Sequence, residues 1–251
     1  MLNGLYTATS GMLLQEKRLD VLSNNLANIN TVGFKMDTPN FESYNTKESQ
    51  YPQNIITEST YNKTINATSR IGEVYTDFAA GHIKETGNKL DLALNNPKSF
   101  FAVDTPFGVR FTRSGNFAIN NQRELVTQEG FPVLSTNNSS IVIPDGELTI
   151  LGNGEIAVNG AILANLQVVE FEDTAKLQKT GNNLFTAVGI LPTPSVAAEI
   201  KQGYLEMSNI NAVREMVNMI TAQRAFETYQ RVIRTIDTLN ERAANELGKI
   251  A

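Results

Sequence analysis

The 251-residue chain has no cysteine, no tryptophan and one histidine, His82. Without cysteine there are no disulfides, thiolate zinc sites or thiol nucleophiles. One histidine leaves metal sites and catalytic triads almost nothing to build on, and His82 reads as a surface or structural residue. Basic charge is also short. The chain carries 21 Lys and Arg against 26 Asp and Glu, a net charge of −5. That balance argues against nucleic acid as a partner, because a phosphate backbone needs a basic face. No apolar run is long enough to span a bilayer, so membrane insertion is not expected. The stretch Met1–Thr7 has neither a basic start nor a long apolar run, so a Sec-type signal peptide is not expected either.

The motifs of catalysis are missing as well. There is no P-loop, no H-E-x-x-H and no G-x-S-x-G. Residues 152–157 match G-x-G-x-x-A, but Val158-Asn159-Gly160 follows where a nucleotide site needs a helix. The match reads as a hairpin turn. Asp77, Glu85, Asp91, Asp104, Asp145 and Glu147 could act as carboxylates, yet their spacing selects no acid–base pair. The expectation is a protein that is not an enzyme and uses no cofactor or metal.

What the sequence does have is an apolar heptad at each end. Leu5, Met12, Leu19 and Leu26 recur every seven residues, with Ala8, Leu22 and Ile29 at the companion spacing. Near the other end Met219, Phe226, Ile233 and Leu247 recur, with Ala222, Tyr229, Ile236 and Ala243 between them. Asn240 is the polar exception. A seven-residue repeat keeps one face of a helix against a partner as the two wind together. Val213, Val217 and Ile220 make a second stripe at the start of the C-terminal helix, which suggests more than one neighbour. Gly4 and Gly11 each weaken the first helix by about 1 kcal/mol relative to alanine. Asn3 and Asn211 are candidate N-caps, and Gly33 can take the positive φ that ends a helix.

Between the helices the texture changes twice. Residues 36–72 are rich in Asn, Thr and Ser and poor in apolar residues, so they read as an extended linker or loop. Its Asn62 and Asn66 triplets fit the glycosylation pattern by chance composition. From about 73 to 204, short apolar stretches such as Leu90–Leu94, Phe100–Val103 and Leu166–Phe171 alternate with Asp145-Gly146, Asn153-Gly154 and Asn159-Gly160. These are hairpin signals. The expected fold is α+β: long N- and C-terminal helices forming a coiled coil and flanking a central antiparallel β-rich domain. Expected divisions are 1–35, 36–72, 73–204 and 205–251.

Several segments resemble the rod and hook proteins of the bacterial flagellum. The N-terminal one runs Asn24-Asn25-Leu26-Ala27-Asn28-Ile29-Asn30-Thr31-Val32-Gly33-Phe34-Lys35. The C-terminal ones are Gln202–Asn211, Glu215–Ile220 and Gln223–Glu227. Leu90–Leu94, Thr112–Phe117 and Gly181–Phe185 agree more weakly. The likeness covers nearly all of the chain except 36–72. Two departures, Asn95–Ser99 before the paired phenylalanines and Met207 before Ser208-Asn209, bear on local turns. The ending Asn240–Leu247 is more similar to rod subunits of the F kind than to the distal G kind.

The resemblance implies a structural subunit of the basal-body rod that assembles helically and transmits torque across the periplasm. It implies export through the flagellar type III channel without cleavage. It implies as partners other copies of the chain, neighbouring rod proteins, hook and ring proteins, and the export apparatus. The packing residues expected between subunits are Leu5, Met12, Leu19, Leu22, Leu26, Val213, Val217, Met219, Ile220, Phe226, Tyr229, Ile233 and Ile236. Asn24, Asn25, Asn28, Asn30, Ser208, Asn209 and Asn211 form an expected polar motif at the helix ends. The residues by themselves leave one other reading, a secreted β protein that binds carbohydrate or acts on peptidoglycan.

Overall fold

The computed structural model describes residues 2–45, 67–195 and 199–247. The chain divides into two compact units. One holds residues 1–26, 37–75 and 211–251; the other holds 27–36 and 76–210.

The first unit contains helix α1 (Leu2–Ala27), strands β1 (Asp37–Asn45) and β2 (Ala67–Thr76), and helix α2 (Ala212–Leu247). β1 and β2 pair as a two-stranded sheet. The ends of the polar stretch that reads as a linker therefore carry strands. Asn62 and Asn66 lie outside the described residues. Asn3 falls inside α1 rather than ahead of it. Asn211 does cap α2, its Oδ1 accepting from the Arg214 N–H at 3.1 Å. Asn211→Ala is expected to cost about 1 kcal/mol, the usual loss of an N-cap, measured as a lower melting temperature of the helical signal.

Among its described residues the second unit has fifteen short strands, β3 (Ile83–Glu85) to β17 (Tyr204–Glu206). Every strand pairing with a described register is antiparallel. The largest sheet has six strands in the order β13-β14-β6-β5-β12-β15. These are Leu177–Gly181, Leu184–Ala187, Gly108–Thr112, Ser99–Thr105, Val168–Glu170 and Thr193–Pro194. A three-stranded sheet joins β9 (Leu148–Ile150), β10 (Glu155–Val158) and β11 (Ala161–Asn165).

β5 explains the apolar run Phe100-Phe101-Ala102-Val103. Side chains alternate across a strand, and here both faces are covered. Phe100 and Ala102 join one core cluster with Phe78, Phe171 and Phe185. Phe101 and Val103 join another with Phe117, Leu125, Ile141 and Ile156. The Phe100 ring meets those of Phe171 and Phe185 edge-on at 5.6 and 5.7 Å, the arrangement favoured by the ring quadrupole. The G-x-G-x-x-A segment forms the turn from β9 to β10 and runs into β10 itself. Asn159 and Gly160, at φ 52° and 82°, make the β10–β11 turn that their sequence announces.

Candidate functional site

In the β unit the chain from Asn28 to Met36 lies against strands from far along the sequence. The turn after α1 is closed by Thr31, whose N–H and Oγ1 each donate to Asn28 at 3.1 Å. Gly33 follows at φ 67°. Its N–H donates to the Glu206 carbonyl at 2.7 Å. A Cβ on Gly33 would lie 2.5 Å from the Arg113 carbonyl carbon, so only glycine permits this approach. The Val32 carbonyl accepts from Asn183 Nδ2 at 2.7 Å, and the Lys35 carbonyl from Lys179 Nζ at 2.6 Å. The same ammonium sits 4.1 Å over the Phe34 ring, a cation–π contact. The Met36 N–H donates to Asn209 Oδ1 at 2.8 Å, and the Met36 carbonyl accepts from Asp77 N–H at 2.8 Å.

At the centre is a buried ionic cluster. Lys35 Nζ lies 2.7 Å from Glu206 Oε1 and donates to the Ala79 carbonyl, also at 2.7 Å. Arg113 faces the other carboxylate oxygen, its Nε at 2.9 Å and Nη2 at 2.5 Å from Oε2. Its remaining N–H groups donate to the carbonyls of Leu94, Asn96 and Ser99. The Gly81 N–H adds a bond to Oε1 at 2.8 Å. The Lys35 and Arg113 side chains are 0% exposed and that of Glu206 is 2% exposed.

Two buried cations share one anion, and the titration of all three groups reflects it. Burial pulls the Lys35 ammonium below its usual pKa, and the Arg113 charge adds to this against the pull of Glu206. Burial likewise lowers Arg113 against Glu206. Burial would raise Glu206, but the charges of Arg113 and Lys35 outweigh it and hold the carboxylate below its ordinary range. Such a cluster fixes geometry more than it adds net stability, because desolvation consumes most of the Coulombic gain. Lys35 and Glu206 are 171 residues apart. No local spacing could have paired them; all three residues lie in segments that carry the family resemblance.

In the other unit two contacts among the described residues join α1 and α2. A Cβ on Gly11 would meet the Tyr229 ring at 2.6 Å, and Asn25 Nδ2 donates to Glu215 Oε2 at 3.3 Å. The two contacts are equally spaced on both helices and run in opposite chain directions, so the helices are antiparallel. Gly11, read in the sequence as a weakness, is where the tyrosine ring fits. Asn25 also bonds both ways with the Asp37 backbone, at 2.8 and 3.0 Å.

Ala8, Leu22 and Ala222 are buried. Leu5, Met12, Leu19, Leu26, Met219, Phe226, Tyr229, Ile233 and Ile236 are half-buried. Asn240 is exposed, and the polar pair within the helix contact is Asn25 with Glu215. Val213, Val217 and Ile220 are 69%, 57% and 54% exposed, and Met216 beside them is 45% exposed. Of the helix-end motif, Asn25 and Ser208 are buried, Asn28 and Asn209 half-buried, and Asn24, Asn30 and Asn211 exposed. Asn209 bridges, its Nδ2 donating to the Asp77 carbonyl at 2.8 Å.

Three family models match the chain. They are the flagella basal body rod protein over residues 5–35, the flagellar hook protein FlgE/F/G D1 domain over 96–163, and the flagellar basal body rod FlgEFG protein C-terminal region over 201–247. The flagellar hook-basal body complex protein FlhO of Bacillus subtilis is 34% identical, with all of both chains aligned. The flagellar basal-body rod protein FlgG of the same organism is 33% identical over 98% of this chain and 99% of its own. The chain belongs to the flagellar basal-body rod protein family. A third relative, the basal-body rod protein FlgF of Caulobacter vibrioides, is 32% identical over 99% of each chain. As a member of this family the rod protein is a structural subunit of the flagellar basal body. Residues 28–35, which the β unit grips, fall in the matched N-terminal region, and Glu206 in the matched C-terminal one. No helix among the described residues is long and apolar enough to cross a membrane.

Proposed function

We propose that the subunit builds into the rod through its terminal helices. The antiparallel α1–α2 contact supports a coiled coil along the heptad seam. The exposed stripe of Val213, Met216, Val217 and Ile220 carries the reading that neighbouring subunits pack on this face. Burying each such side chain contributes about 1.5–3 kcal/mol, enough together to order one helix against another. Where such packing joins unlike faces of successive subunits and the rotation does not close, repetition gives an open helical assembly, suited to a shaft that transmits torque across the periplasm. Its partners on this reading are other copies, neighbouring rod subunits, and hook and ring proteins. The chain would reach them through the flagellar export apparatus, uncleaved. Its ending, Asn240–Leu247, supports the F kind of rod subunit over the distal G kind.

Val217→Asp tests this reading. The residue is exposed, so the purified variant is expected to keep its circular dichroism and melting temperature. In cells it is expected to abolish swimming and leave basal bodies without the subunit. Normal swimming with normal rod length would count against the stripe as an assembly face.

A further inference from the structure

We infer that the β unit is a peptide-recognition cleft, and that its ligand is the chain's own segment Val32–Met36, docked reversibly. This inference does not rest on the rod assignment.

The segment is held in the way a bound peptide is held. Its main-chain groups are met by side chains of the unit: Asn183 at the Val32 carbonyl, Lys179 at the Lys35 carbonyl, Asn209 at the Met36 N–H. Side-chain selection is supplied at three successive positions. Gly33 is required by the Arg113 backbone, Phe34 lies under the Lys179 ammonium, and Lys35 enters a buried slot ending at Ala79 and Glu206. The cleft thus reads glycine, an aromatic residue and lysine in that order.

Charge balance makes the docking separable from folding of the body. Removing one partner of a buried ion pair is costly because it strands the other charge. Withdrawing Lys35 strands neither. Arg113 and Glu206 remain a neutral pair, with Arg113 still bound to three backbone carbonyls and Glu206 Oε1 still bound to the Gly81 N–H. The lysine returns to water, where its charge is fully solvated. The charges of the empty cleft therefore stay balanced, and the segment occupies it as a ligand would.

The test uses the full chain carrying Lys35→Met, with hydrogen exchange as the readout. Loss of a charge-assisted bond is expected to speed exchange of the Gly33 and Met36 amides roughly ten- to a hundredfold. The Ala102, Leu125 and Val133 amides, which bond within the body, are expected to keep the wild-type rate. Phe34→Ala serves as a second variant and is expected to give the same split. A labelled synthetic peptide with the sequence of residues 28–38 is then added. It is expected to bind the Lys35→Met chain and not the wild type, whose own segment fills the cleft. The same peptide with methionine for its lysine is expected not to bind. The inference is overturned if body amides accelerate together with Gly33 and Met36, or if the unmodified peptide fails to bind the Lys35→Met chain.

Discussion

Glu206→Ala is expected to destabilise the β unit by about 3–5 kcal/mol, the cost of leaving buried charge without its partner. The residue neutralises Lys35 and Arg113 together, so its loss strands two cations where most ion-pair mutants strand one. Glu206→Gln keeps the shape and removes the charge; it is expected to lose a similar amount. Arg113 cannot shed its proton at neutral pH, so either variant leaves at least one buried cation unpaired. Urea unfolding followed by near-ultraviolet circular dichroism measures the difference, and a loss below 1 kcal/mol would refute the assignment.

The same residue sets an acid limit. Glu206 is held below its ordinary pKa in the folded chain. Its contribution is therefore fully present above the unfolded carboxylate value, about 4.3. It fades as pH falls from there through the lower folded value, because the unfolded chain takes up the proton first. Lys35 is also lowered. For a base this means that its charge costs stability at neutral pH, a cost relieved only as alkaline pH passes the folded value. The melting temperature of the wild type is expected to drop as pH falls from 5 to 3, and that of Glu206→Gln to drop less.

Gly33→Ala is the second large effect. Two penalties meet at one atom. Alanine at φ 67° is strained, by about 1–3 kcal/mol for a non-glycine residue held in such a region. The new Cβ would also sit 2.5–2.6 Å from the Arg113 carbonyl and the Ser114 nitrogen. Those are backbone atoms that cannot rotate aside, and overpacking of this kind costs about another 1–3 kcal/mol. The hydrogen bond from Gly33 to the Glu206 carbonyl goes with any retreat. Denaturant unfolding of the purified variant is expected to show a loss of about 2–6 kcal/mol; wild-type stability would show that the segment relaxes freely.

The terminal helices, the antiparallel hairpins and the Asn211 cap were legible because each is written in residues close together. A heptad or an Asn-Gly pair carries its own geometry. The strands at 37–45 and 67–76 were not, because polar composition hides a pairing between segments on either side of a long connection. The site was legible only in part. Gly33 announced its positive φ, but not the approach to Arg113 that makes glycine obligatory. Gly11 looked like a helix defect until Tyr229 was placed against it. The Lys35–Glu206–Arg113 cluster joins three distant segments, and among six carboxylates considered for chemistry Glu206 was absent. A lone charged residue in an apolar neighbourhood gives no pattern to read.

The strand order of the β unit has a kinetic consequence. Its first strands pair with its last: β3 with β17, through Glu85 and Tyr204, and β4 (Leu92–Leu94) with β16 (Ile200–Gln202). Loop-closure entropy must be met before such distant pairings contribute, which slows folding. A chain emerging N-terminus first from a ribosome or a narrow channel therefore cannot close this body until residue 206 has come through. The last part of the body to appear is also the part that completes it, so the unit waits unclosed for almost the whole length of its own delivery.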